Sequence, residues 1–206
     1  GCRKTILSSE AWANPSHLNH LSMFVESLKD MGLSDIQCIA FLRNIVQYKI
    51  SLYREFTVNQ KNVLSYRDFS QRAKGIYNLL FISQAFKAIN GGHVTLMAFD
   101  SVGDVRDAFF GAIGEAQIQA GLAETELANV KKTDALDVEV IRCANQLKIP
   151  QDLALRVAKT IQDKNPGGVW TEYTELPEDH FGGSYMKSFG LVSGWSPEKV
   201  DRLFAI

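Results

Sequence analysis

The chain has 206 residues, of which 46% are hydrophobic and 22% charged, with a formal net charge of −1. That much apolar material supports a core without disulfides or metal, and the charge balance excludes both a disordered chain and a globally basic nucleic-acid binder. No apolar run approaches the roughly 18 residues of a membrane-spanning helix, so the sequence reads as a soluble, cytoplasmic protein.

Gly1-Cys2, with no initiator Met, reads as a processed start. A bacterial lipoprotein site, anchoring the chain through Cys2, and a leftover tag glycine both give these letters. Asn14-Pro15 then supplies a helix cap and a first-turn proline, and Leu18, Leu21, Phe24, Val25 and Leu28 follow at helical spacing until Gly32 closes the helix. Ser34 and Gln37 have the spacing of a capping box. They predict a second helix carrying Ile36, Ile39, Ala40, Ile45, Val46 and Ile50, folded back on the first as a hairpin.

Residues 56–64 read as a loop, and Ser65 with Asp68 caps a long helix to about Asn90, stopped by Gly91-Gly92. His93–Phe99 is the one strand-like stretch. Ser101 and Asp104 cap a helix through Val105, Phe109 and Ala112. Thr133 opens another, with Leu136, Val140, Ile141, Ala144 and Leu147. Pro150 breaks that helix and starts the next, in which Leu153, Val157 and Ile161 share one face. Residues 168–195, rich in Gly, aromatics and acids, read as an irregular segment with at most a short helix near 181–189. Ser196-Pro197-Glu198 caps a last helix over 196–206. The expectation is one all-α domain over 1–206, a helical bundle or irregular array of about seven helices with an irregular Gly/aromatic-rich C-terminal segment.

Charge is unevenly placed along this array. Residues 42–92 carry eight basic and two acidic side chains, whereas residues 100–139 carry nine acids against three bases. The two segments either neutralise each other inside the fold or present opposite faces through which copies adhere head to tail. In the basic segment, Arg43, Lys49, Arg54, Arg67, Arg72 and Lys74 interleave with Tyr48, Tyr53, Tyr66, Phe69 and Tyr77, as cations and stacking platforms do in single-strand binders. In general character that segment resembles the helical coat or nucleocapsid proteins of RNA viruses. Trp170, Tyr173, Tyr185 and Trp195 of the C-terminal segment are candidate contact residues, since Trp and Tyr favour interfaces.

Cys38 falls in the first turn of the predicted second helix, where the helix dipole would lower a thiol pKa. His93 begins the strand-like Gly91-Gly92-His93-Val94-Thr95-Leu96. A cysteine at a helix start with a strand-borne histidine resembles the papain-like amidases, and that resemblance implies a thiol hydrolase using Cys38 and His93. Gln37 and Ile39 flank the cysteine in place of small polar neighbours, and a long helix separates it from the histidine. His17 and His20, three apart, read as a solvated helix face, and His180 as part of an acidic loop. Cys2, Cys38 and Cys143 form no CxxC pair, and no Walker loop, GxGxxG, GxSxG or HExxH occurs. No cofactor or metal is expected. The leading reading is a non-enzymatic adaptor, chaperone-like or assembly subunit acting through a protein partner or self-association. An RNA or single-strand binder using residues 43–87 comes second, and the thiol hydrolase third.

Overall fold

The computed structural model describes residues 5–8, 17–73, 78–89, 94–115, 135–165 and 183–204, and the chain is mostly helical. In order come α1 (Leu18–Asp30), β1 (Cys38–Leu42), α2 (Ile45–Asn59), α3 (Tyr66–Arg72), α4 (Leu79–Ile89), β2 (Val94–Ala98), a 3-10 turn (Phe99–Ser101), α5 (Val105–Ala112), α6 (Ala135–Leu147), α7 (Gln151–Lys164), α8 (Gly183–Ser193) and α9 (Pro197–Phe204). Among the described residues, no helix is long and apolar enough to cross a membrane.

The core is organised around α2. Ile45, Lys49, Tyr53 and Thr57, spaced by four, are each 0% exposed, and Val46 and Ile50 beside them are also buried. Four-residue spacing stacks side chains on one helix face, and this face meets α3, α6 and α9. Tyr53 packs edge-to-face on Tyr66 and Phe69, with ring centroids 5.3 and 5.5 Å away. Phe189 of α8, wholly buried, gathers Phe204 and Trp195 in the same geometry. Such aromatic pairs contribute about 0.5–1.5 kcal/mol beyond their buried area.

Local caps account for most helix starts. Asn44 Oδ1 accepts the amides of Val46 and Gln47 at 3.0 and 3.1 Å, opening α2. Ser65 Oγ accepts the Asp68 amide at 3.1 Å and donates to its carboxylate, as the capping-box spacing predicts. Asp104 Oδ1 accepts the Arg106 amide. Gly32, at φ +86°, takes the left-handed turn that ends α1.

The capping box at Ser34 and Gln37 does not form. Residues 38–42 are a strand, paired in parallel with β2 from Cys38↔Val94 to Leu42↔Ala98. A short apolar run such as Cys38–Leu42 fits a helix stripe or a buried strand equally well, and the remote partner strand decides it. With β1 between them, α1 and α2 make no hairpin, and α1 lies against α4 instead. The long helix expected from Ser65 to Asn90 is divided into α3 and α4. A fresh cap opens the second, where Asn78 Oδ1 accepts the Phe81 amide at 3.0 Å. Helix α2 runs to Asn59, four residues into the expected loop. The C-terminal segment contains α8, close to the short helix expected at 181–189; residues 166–182 lie outside the described residues.

α6 is fastened to α2 by amides. Asn145 Nδ2 donates to the carbonyls of Thr57 and Asn62 at 2.9 and 3.1 Å, and Gln146 Nε2 donates to Val63 O at 3.0 Å. Asn145→Ala would leave two half-buried carbonyls short of a donor and should cost about 1–3 kcal/mol. Urea unfolding should show a lower midpoint with an unchanged slope. An unchanged midpoint would mean that this clamp holds nothing.

Asp104 yields a second expectation. Its hydrogen bonds to the Arg106 side chain, and then to the Arg106 amide, hold the carboxyl down to about 2. A depressed folded-state pKa means that the cap is intact above the ordinary carboxylate range and is lost progressively as pH falls from about 4 through about 2. An NMR titration of the Asp104 carboxyl should give a midpoint of about 2. A midpoint in the ordinary range would show that the pair does not persist in solution.

Candidate functional site

The α6–α7 hairpin is closed by Lys148 in the left-handed region, φ +56°, with the Ile149 amide on Ala144 O at 2.8 Å, before Pro150 admits the next helix. Against α6, α7 presents alanines. Ala154 and Ala158 are buried, Ala154 in a small cluster with Ile141 and Ala144. Small residues let the two helices approach closely, so the larger apolar side chains beside that narrow seam project outward. Leu153, Leu155 and Val157 are 42%, 40% and 45% exposed. Leu147 and Ile149, at the hairpin turn, are exposed too.

The expected shared face of Leu153, Val157 and Ile161 therefore exists, but it flanks the packed seam instead of entering it. A groove of about 380 Å³ runs along it, lined by Leu153, Arg156, Val157, Thr160, Ile161 and Lys164. Arg156 meets Asp152 at 3.3 Å, both strongly exposed, a surface pair worth about 0–1 kcal/mol and readily exchanged for another anion. The arrangement is an apolar floor, from Leu153, Val157 and Ile161, with the cations Arg156 and Lys164 along its rim.

The residues singled out from sequence fall elsewhere. Of the basic set, Arg67 and Arg72 are on the open surface, Arg43 and Arg54 are half-buried, and Lys49 is fully buried. Lys74 lies outside the described residues. The Arg43 guanidinium sits over the Phe99 ring, 5.6 Å from its centroid. The interleaved platforms Tyr53, Tyr66 and Phe69 are core residues, so their faces are taken by one another. Glu139, from the acidic segment, accepts the Tyr53 hydroxyl at 2.7 Å and Arg142 Nε at 2.8 Å. The two segments thus touch at this half-buried point, through a neutral phenol.

In the C-terminal segment, Tyr185 is half-buried. Its oxygen accepts the Leu80 amide at 2.9 Å and its hydroxyl donates to Asn78 Oδ1, which caps α4 from a neighbouring helix. Trp195 packs on Phe189 beneath the Lys199 ammonium. Both aromatics serve the core. Trp170 and Tyr173 lie outside the described residues.

Cys38 begins a strand, not a helix, so no helix dipole acts on it. Burial pushes its thiol up, an effect only partly offset by the Lys29 cation. His93 and Cys2 lie outside the described residues, as does His180. The His17 and His20 rings lie 5.9 Å apart on the surface, tilted by 60°, and no group of three or more His, Cys, Asp or Glu among the described residues could hold a metal.

Comparison with known proteins gives no matching family model, no matching curated protein and no matching solved structure. The groove on α7 was hidden in the sequence because its apolar residues have core-like spacing. The one available signal was the pair Ala154 and Ala158, which marks a close helix contact beside them.

The two described thiols should differ in reactivity. Cys143 is exposed and Cys38 is half-buried with a raised pKa. At pH 8, Ellman's reagent should modify Cys143 at least about tenfold faster than Cys38, since the thiolate is the reacting form. Faster reaction at Cys38, followed by peptide mapping, would restore the case for an activated cysteine.

Proposed function

We propose that this protein is a binding or assembly module that works through protein–protein contacts, with the α7 groove as its docking face. The observation that carries the reading is the pair Leu153 and Val157, each more than 40% exposed on a regular helix beside a continuous groove. Monomeric proteins expose single apolar residues freely, but a contiguous stripe rimmed by polar groups is a mark of an interaction site. Leu147 and Ile149 add exposed apolar area at the turn before the helix.

The occupant that fits is an amphipathic helix with acidic residues along its flank. An apolar groove on one helix accepts side chains spaced i, i+3, i+4 and i+7 from another. Arg156 and Lys164 on the rim favour carboxylates and disfavour a basic partner. Apolar burial would supply most of the affinity, because exposed ion pairs contribute little. Self-association between the basic and acidic segments would need a different surface, and the Trp195 side chain it would have drawn on is half-buried between Phe189 and the Lys199 ammonium.

Fluorescence anisotropy with two labelled helical peptides tests this. They share one apolar face, one flanked by glutamates and the other by lysines. The acidic peptide should bind at least about tenfold more tightly, an energy of about 1.4 kcal/mol. Val157→Glu should remove that binding, while Lys61→Glu, on an exposed loop, should leave it unchanged. Equal binding of both peptides, or full binding by the Val157 variant, would refute the groove as the docking face.

A further inference from the structure

A second cleft, of about 320 Å³, opens where the parallel strands end, and it shares no residue with the α7 groove. Ala98, Asp100 and Ser101 line it from the end of β2, and Lys199, Arg202 and Leu203 line it from α9. The carboxyl ends of parallel strands are where chains leave a sheet and diverge, so polar side chains gather there around open space.

The parts are held by the fold. Asp100 Oδ2 accepts the Asn44 backbone amide, which fixes that carboxylate at the start of α2. Its other oxygen has no hydrogen-bond partner among the described residues. Asn44 Nδ2 donates to the Arg202 carbonyl at 3.1 Å, tying α9 to the same point. Lys199 Nζ lies 4.1 Å from the centroid of the Trp195 ring, which orients the ammonium. Neither Lys199 nor Arg202 has a carboxylate within ion-pair distance among the described residues; Glu198 feels Arg202 only through space.

Two cations and a carboxylate acceptor around one small cleft select an unusual ligand. An oxyanion without a proton is drawn by Lys199 and Arg202 but repelled by Asp100. An oxyanion that keeps a proton satisfies all three. We propose that the cleft binds hydrogen phosphate. Its ionised oxygens take charge-assisted hydrogen bonds from Lys199 and Arg202 and one from the Ser101 hydroxyl, and its P–OH donates to the free oxygen of Asp100. Sulfate, which has the same shape and no proton at neutral pH, is rejected.

Titration calorimetry on the full chain at pH 7, with ionic strength held constant by chloride, reads this directly. Sodium phosphate should saturate with a dissociation constant of about 1 mM or below. Sulfate should bind at least about tenfold more weakly, the loss expected when a charged acceptor meets no donor. Arg202→Gln, at an exposed side chain whose backbone carbonyl remains available to Asn44, should weaken phosphate at least about tenfold with an unchanged circular dichroism spectrum. Asp100→Asn keeps an oxygen for the Asn44 amide and turns a donor toward the cleft, so it should abolish or reverse the preference over sulfate. Equal affinity for the two anions in the native protein, no saturable phosphate binding, or undiminished binding by the Arg202 variant would each overturn the proposal.

Discussion

Burial of polar groups along one face of α2 is the constraint on which the rest of the structure depends. Ile45 and Tyr53 would be ordinary core residues, but Lys49 and Thr57 share their face and are equally closed off from water. A buried polar group costs free energy unless it finds a partner, and Tyr53 and Thr57 find theirs on α6 and in the loop after α2. The Tyr53 hydroxyl has one proton and two acceptors near it, Glu139 at 2.7 Å and Leu64 O at 3.3 Å, and the shorter contact takes the proton. That places α6 against α2. Thr57 Oγ1 accepts from Asn62, whose side chain also holds both ends of the turn at Leu64, and the loop after α2 is fixed as well. The neighbours of α2 are where they are because of what it buries.

The same face of α2 also touches the acidic segment at one point. A basic segment and an acidic segment adjacent in sequence can be a surface device or an internal one. In the Tyr53–Glu139–Arg142 contact a half-buried carboxylate of the acidic segment is shared between a phenol of α2 and a guanidinium from its own helix, so Glu139 takes its counter-charge from α6. Aromatic residues that looked like stacking platforms are instead the apolar filling of that junction, with Tyr53, Tyr66 and Phe69 set edge to face. The outer flank of α7 is open to solvent, away from this junction.

Features encoded within a few residues of one another were legible in the sequence. The caps at Ser65 and Asp104, the end of α1 at Gly32, the break at Pro150 and the strand-like Val94–Ala98 all have local causes, and all appear. The failures share a different cause. Cys38–Leu42 is a strand only because Val94–Ala98 lies beside it, and no local signal carries that fact. The division between α3 and α4 was lost because the apolar stripe continues across it, whereas the cap that restarts α4 is completed by Tyr185, distant in the chain. The exposure of the α7 face was not foreseen for a related reason. Period alone finds an apolar face, but whether that face is covered depends on how closely a neighbour approaches, and on α7 two alanines settle it.

The two-stranded ladder has a consequence for how the molecule assembles. Leu42 and Val94 are joined through the whole of α2, α3 and α4, so pairing the strands closes a loop that has already consumed much of the core. Contacts so distant in sequence are favourable only after the entropy of closing that loop has been met, which sets them late in folding. Contacts made last are the first to open, so amides of Ile39 to Phe41, in short and only partly buried strands, are expected to exchange through an opening smaller than global unfolding. Any ligand held at their carboxyl ends would, by mass action, stabilise the entire chain.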